Sequence, residues 1–412
     1  MATSIIRSGQ RVGFVRVLLV FVLGLTASPA LAQFSMGMGG GDAMQMAVSR
    51  ESVDTYADLL GFDDVQRDTA KMLHSDYLDK FKSANDTFTD AMQKIQEEAG
   101  QSGDWQKMMR PMGTIMVGFF DRLEELEETF FSDMKMLAME PAQEAAFVRV
   151  ERARRRETVG MAGQMATISG ATIDLHDIAR EVEVSGNEAA RDALLAYEAE
   201  IDQINTRLID RAFGFMRDNL ERMKNMDDDE ENMGWNAEAM EKMQEAMSDM
   251  RDLGSQGKSI NARYARQIMQ LLPAERQSDW DREVKRRTWP TVYRDSSVER
   301  QMDAAEKLDS LSTEQRENLA AIRDSYQREA TPMNERWAKA IDEVQASEDG
   351  NWWGWGGEDT EADEIEKERE ELDERFVERV RALLTAEQLD EMPDVGGSGF
   401  DADAVLRQFG GG

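Results

Sequence analysis

One helical pattern is written three times along this chain, which restricts the fold to a tandem array of a single supersecondary unit. The segment FDDVQRDTAKMLHSDYLDKFKSANDTFTDAMQKI, from Phe62, aligns without a gap with LSTEQRENLAAIRDSYQREATPMNERWAKAIDEV, from Leu311. Gln66 falls on Gln315, Arg67 on Arg316, Tyr77 on Tyr326, Asn85 on Asn334 and Phe88 on Trp337. A third segment repeats the later landmarks with Tyr197, Asn205 and Leu208. Repetition points away from an enzyme, whose reacting groups form one constellation of unlike residues.

Within each copy the apolar residues recur at steps of three and four, which is the spacing of one helix face. The first copy places Ala70, Leu73, Tyr77, Phe81, Ala84, Phe88, Met92 and Ile95 on that face. The second places Ala190, Ala193, Tyr197, Ile201, Ile204, Leu208, Ala212 and Phe215 there, and the third Leu319, Ile322, Tyr326, Ala330, Met333, Trp337, Ile341 and Val344. Period-two alternation is scarce, so strands are not expected. Such helices, about 35 residues long, would each span about 50 Å. Pro332 predicts a kink or break in the third, because it removes one backbone donor.

A polar, acidic, glycine-containing stretch follows each long helix and carries Trp105, Trp235, or the cluster Trp352, Trp353 and Trp355. A return helix comes next; in the last copy Ile365, Leu372, Phe376, Val380 and Leu383 share its face. Further helices carry Arg149, Arg152 and Arg154 in one copy and Arg282, Lys285 and Arg287 in another. The expected fold is all-α: three tandem antiparallel helical hairpins with long helices, over 47–160, 161–290 and 291–393.

Residues 1–32 read as an export signal. Arg7, Arg11 and Arg16 precede the apolar run VLLVFVLGLTA, which is short for a membrane span, and Ala30-Leu31-Ala32 is a small-x-small cleavage site. Cleavage is predicted after Ala32, leaving no stable membrane insertion; an uncleaved anchor is the alternative. Flexible tails are expected over 33–46, rich in Met and Gly, and over 394–412. The chain has no Cys, so no disulfide supports it outside the cytoplasm. Removing the three leader arginines from 49 basic residues leaves 46 against 82 acidic, a net charge of −36. Such a surface repels nucleic acid and anionic lipid. It would attract basic or partly unfolded clients, or simply stay solvated.

A short motif opens the helices. In LTAEQ, Thr385 can cap the helix while Gln388 reaches back to its amide, a capping box preceded by Leu384. LSTEQ (Leu311, Ser312, Gln315), FDDVQ (Phe62, Asp63, Gln66) and VSGNE (Val184, Ser185, Glu188) have the same arrangement. MEPAQ places Glu140 at the cap and Pro141 at the first helical position, and LPAER, with Pro273 and Arg276, is the poorest copy. On their own, such caps start helices and contribute about 1 kcal/mol each.

Two copies of L-[ST]-x-E-Q, LSTEQ and LTAEQ, separated by a long return helix, resemble the Spy/CpxP (LTXXQ) family of all-helical periplasmic proteins. The resemblance is sharpest over Leu311 to Met392 and looser over the first two copies. It implies an exported, methionine-rich protein without disulfides. Family members act as ATP-independent chaperones, stress-response regulators or metal-binding relatives. They are usually one unit long, pair into a curved cradle and carry a basic concave face. This chain has three units in series and is acidic, so its self-association and choice of client are open.

Methionine is common, with 28 in the chain. Met108, Met109, Met112 and Met116 crowd one region; Met216, Met223, Met226, Met233, Met240, Met243, Met247 and Met250 crowd another. Exposed, such side chains adapt to apolar clients; the spacing fits a buried stripe equally well. The tip tryptophans are candidate client contacts, the triple cluster above all, together with Met108, Met109 and Met112. Met36, Met38, Met44 and Met46 form two Met-x-Met pairs suited to copper(I). His74 and His176 are the only histidines, however, and no thiol is present. The acidic run Asp227 to Glu231 lacks the spacing of a calcium loop.

No nucleophile elbow, phosphate loop or His-Glu-x-x-His motif occurs, so no catalytic residues and no cofactor are expected. The expected function is ATP-independent binding of unfolded or stressed envelope proteins in the periplasm. The alternatives are a metal-responsive copper or zinc protein and a structural scaffold.

Overall fold

The computed structural model describes residues 46–102, 106–162, 168–184, 186–225, 237–346 and 360–392. All regular structure among them is helical. Residues 1–45 and 393–412, Ser185 and all five tip tryptophans lie outside the described residues, and with them the leader, the tails up to Met46, and Met36, Met38, Met44, Met226 and Met233. The chain divides into two compact units, Met1–Leu272 and Pro273–Gly412.

The first unit holds α1 (Arg50–Leu60), α2 (Asp64–Ser102), α3 (Gln106–Leu137), α4 (Pro141–Ala162), α5 (Leu175–Glu181), α6 (Glu188–Lys224) and α7 (Ala237–Leu271). Helices α2 and α3 form one antiparallel pair and α6 and α7 another. Their partner residues run in opposite order: Phe88 stacks on Phe119 at 4.3 Å while Tyr77 meets Phe130 at 5.2 Å. Helix α6 also packs on α3 and α4, so the two pairs share one body. Its Met216, Leu220 and Met223 join the core formed by Phe81, Phe88, Phe119, Phe130 and Phe131. The approach of α6 to α3 depends on Gly113, where a Cβ would lie 2.7 Å from the Lys224 nitrogen.

The second unit holds α8 (Ala274–Thr288), α9 (Pro290–Tyr293), α10 (Ser297–Glu306), α11 (Thr313–Ala346), α12 (Glu361–Leu383) and α13 (Ala386–Glu391). Here α11 and α12 form the antiparallel pair and α10 packs across both. Val298, Met302, Leu319, Tyr326, Leu372, Phe376 and Val380 make its main core.

The periodic faces read from the sequence are the buried faces. Ala70, Tyr77, Phe81, Phe88 and Ile95, then Ala190, Tyr197, Ile201, Leu208 and Ala212, then Leu319, Tyr326, Ala330 and Trp337 are all in the core. The long helices have 39, 37 and 34 residues. Of the kink or break expected at Pro332, the break does not occur: α11 is continuous from Thr313 to Ala346. One missing amide in a helix packed along its whole length costs a single hydrogen bond, which the buried face outweighs.

Short helices that the sequence reading did not single out precede each long one. Ser49, Asp174 and Ser296 cap α1, α5 and α10. Gly61, with φ of 63°, ends α1, and the Phe62 amide returns to the Ala57 carbonyl at 3.0 Å. Glu183, with φ of 56°, repeats that turn after α5, where the Val184 amide bonds the Ala179 carbonyl at 2.9 Å. A left-handed residue of this kind normally is glycine, since a Cβ is strained there.

Candidate functional site

The repeated motif builds more than helix starts. Gln66 accepts the Asp63 amide at 3.0 Å while Asp63 accepts the Gln66 amide at 2.8 Å. Ser312 and Gln315 do the same at 3.0 and 3.1 Å, and Thr385 and Gln388 at 3.0 and 3.3 Å. The fourth box is corrected: α6 is capped by Asn187, whose Oδ1 accepts the Ala190 amide at 3.0 Å. Both Ser185 and Asn187 are good caps, and the helix begins at the later one. At Glu140 the box is half made, with Gln143 accepting its amide at 3.3 Å. Pro273 makes no side-chain cap.

The glutamines also bind each other. Gln66 Nε2 donates to Gln143 Oε1 at 3.1 Å, and Gln143 Nε2 donates to Gln66 Oε1 at 3.0 Å. Gln315 and Gln388 repeat this reciprocal pair at 2.8 and 3.2 Å. The first glutamine of each pair also donates to the last leucine of its return helix, Leu137 at 2.8 Å and Leu383 at 2.9 Å. Each carboxamide thus uses its donors and its oxygen fully. The pair clasps the open end of the hairpin. In the α6/α7 pair, Asn187 Nδ2 reaches the Leu271 carbonyl at 3.4 Å, so this hairpin keeps a bond to its last leucine, made by the cap residue, while Ala190 stands three residues after the cap where the others have glutamine.

The landmark tyrosines form the second repeated device. Each is buried and sends its hydroxyl to the start of the preceding short helix. Tyr77 Oη accepts the Val48 amide at 3.4 Å, Tyr197 donates to the Ile173 carbonyl at 3.1 Å, and Tyr326 donates to the Ser296 hydroxyl at 2.6 Å. His74 donates to the Val48 carbonyl at 2.7 Å, which makes it a structural residue. Arg67 and Arg316 hold the other end of those short helices. Arg67 bonds the Phe62 carbonyl at 3.0 Å and pairs with Asp58 at 2.7 Å; Arg316 bonds the Glu306 and Leu308 carbonyls at 3.2 and 2.9 Å. Asn334 accepts from Arg369 at 2.9 Å, and Asn85 and Asn205 are buried.

Buried charge is concentrated in the first unit. Arg154 forks onto Glu127 at 2.8 and 3.0 Å, bonds the Met46 carbonyl at 3.1 Å and reaches Glu157 at 3.3 Å. Arg156 pairs with Asp174 at 2.8 Å. His176 lies beside them with Nε2 3.5 Å from Glu198. Burial first, then the charge of Arg156, pushes the His176 imidazole down to about 4, so it is neutral at pH 7.

Of the candidate client contacts, Met108 and Met112 are core residues and Met109 packs partly against that core. Met116, Met216, Met223 and Met250 are buried as well. They are therefore not the adaptable surface weighed from the sequence; the three-and-four spacing marks a buried stripe here. Met46, from the Met-x-Met pairs, also packs partly against the first core. Among the described residues no group of three or more His, Cys, Asp and Glu is placed to hold a metal ion. No described helix is long and apolar enough to cross a membrane.

Of the methionines that the sequence singled out, Met240 is exposed, at 40%; the four most exposed large apolar side chains among the described residues were not among the expected client contacts. Val65 is 74% exposed, Met72 65%, Met136 69% and Met139 79%. They lie on the two segments that Gln66 joins through Leu137. Comparison with family models, with curated proteins and with solved structures finds no match to this chain.

Proposed function

We propose that the protein is exported and acts without nucleotide as a chaperone-like binding protein, covering apolar segments of unfolded or stressed envelope proteins. The observation that supports this most is the exposed set Val65, Met72, Met136 and Met139 around the first glutamine clasp. Four large apolar side chains at one hairpin end of so acidic a chain mark an interaction surface. Three are methionines, whose unbranched thioethers adapt to clients of differing shape. The clasp holds their backbone fixed, so the flexibility lies in the side chains. The acidic balance of the chain, −33 overall, keeps a loaded complex soluble. The LSTEQ and LTAEQ resemblance to the Spy/CpxP family favours the same reading.

Light scattering from an aggregating unfolded client tests it. Equimolar protein should suppress aggregation without nucleotide. A Val65→Ser, Met72→Gln, Met136→Gln, Met139→Gln variant should bind client roughly tenfold more weakly or worse, with unchanged helicity. Aggregation unaffected by the parent protein, or suppressed equally by the variant, contradicts the proposal.

A further inference from the structure

Met72, Met136, Met139 and Met240 are the exposed methionines among the described residues, and the first three stand with Val65 around the first glutamine clasp. Met136 lies in the last turn of α3 and Met139 in the turn to α4. Met134 precedes Met136 by two residues and is turned into the core with no exposed surface, as is Met116. Burial therefore divides chemically identical thioethers into two sets.

An oxidant in solution acts on these sets unequally, because it reaches exposed sulfur first. The chain has no Cys, so no thiolate intercepts it. With a peroxide, the thioether sulfur attacks one peroxide oxygen with its lone pair. The S–O bond forms, the O–O bond breaks, and the departing hydroxide takes the remaining proton and leaves as water. The sulfur is oxidised to the sulfoxide and the peroxide is reduced. A polar acceptor then stands where an adaptable apolar side chain stood.

At Met72, Met136 and Met139 this change alters the surface and spares the fold. The clasp beside them is made of carboxamides and backbone, not of thioethers. Met139 is itself held by its backbone: its amide donates to the Leu137 carbonyl at 2.9 Å, the oxygen that also receives Gln66 Nε2 at 2.8 Å. At Met112, Met116 or Met134 the same oxygen would be an unpaired polar group inside the core.

We propose that Met72, Met136 and Met139 form a methionine-oxidation site, through which a peroxide reversibly switches off the apolar surface of the first unit. The switch rests on the client-binding reading given above; the selective oxidation does not.

Limited treatment of the full chain with hydrogen peroxide, followed by peptide mapping in a mass spectrometer, tests the site. Met72, Met136 and Met139 should convert about tenfold faster than Met112, Met116 and Met134, with far-UV circular dichroism unchanged. Similar rates in the two sets, or helicity lost as the exposed set converts, overturn the site. Anisotropy of a labelled unfolded client tests the switch. The oxidised parent should bind about tenfold more weakly. It should recover when sulfoxide reductases of both epimer specificities, with dithiothreitol as reductant, remove the oxygens as water. Met72→Leu/Met136→Leu/Met139→Leu should have one affinity before and after peroxide, whatever its value, and Met240→Leu should remain as sensitive as the parent. Parent binding unmoved by peroxide, a loss that reductase does not restore, a triple variant as sensitive as the parent or an insensitive Met240→Leu overturns the switch. If the untreated parent binds no client, the client-binding reading fails and the switch with it, while the oxidation rates still decide the site.

Discussion

Replacing Gln66 by Glu separates two roles that glutamine plays in the repeated motif. As a capping-box residue, Glu is equivalent to Gln and gains about 0.3–1 kcal/mol beside the positive end of the helix dipole. In the clasp the two residues are opposites, because the carboxylate has no N–H. The variant loses the 2.8 Å bond to the Leu137 carbonyl and the 3.1 Å bond to Gln143 Oε1. It leaves both oxygens facing a negative charge in a buried place, since Gln66 is 9% and Gln143 6% exposed. Two deserted buried acceptors cost about 1–3 kcal/mol each. Set against the dipole gain, the net destabilisation at neutral pH is about 1–6 kcal/mol. Urea unfolding followed by far-UV circular dichroism measures it. The new carboxyl, starved of donors, has a raised pKa in the folded state. Its protonation restores one donor, so the gap to the parent should narrow as the pH falls into the mildly acidic range. A variant as stable as the parent at neutral pH, or more so, would refute the clasp and leave the motif as a plain helix cap.

Further expectations follow from the same structure. Arg154→Met leaves Glu127 buried without its partner and should cost about 3–5 kcal/mol in urea unfolding, most of it recovered in Arg154→Met/Glu127→Leu. His176 is depressed to about 4 in the folded state, so its contribution favours folding above its unfolded pKa near 6.5 and is lost as the pH falls to about 4. That contribution is worth about 3 kcal/mol; NMR titration of the ring and the flatter acid limb of a His176→Leu variant both report it. Glu183→Gly relieves a left-handed residue and should raise stability by about 1 kcal/mol in thermal unfolding. Gly113→Ala should lower it by about 1–3 kcal/mol, because the new Cβ meets the α6 backbone.

The helices were legible because their buried faces repeat at three and four, a local property of the chain. The same holds for the boxes at Asp63, Ser312 and Thr385, where cap and glutamine are three residues apart. The partners of those glutamines were not legible: Gln66 and Gln143 are 77 residues apart, and only the packed hairpin brings them together. Asn187 was passed over for Ser185 because both are good caps and nothing local chooses between them. The short helices did leave a signal, since Ser296 and Glu299 form a capping box of the kind used elsewhere in the chain. The methionines were undecidable, because a buried stripe and an adaptable surface have the same spacing. Burial assigns Met108 and Met112 to the core and leaves Met72, Met136 and Met139 outside. Gly257 and Asn261 also escaped notice: the first lets α7 pass the Ala171 carbonyl, and the second bonds the Gly170 and Ala171 carbonyls at 2.8 and 3.1 Å.

Site-specific photo-crosslinking to an unfolded client addresses the proposed activity most directly. A photoreactive side chain at Val65, Met72 or Met139 should capture client, and one at the exposed charged positions Asp192 or Glu317 should not. Capture spread evenly over all five positions, or absent from the first three, would contradict the account.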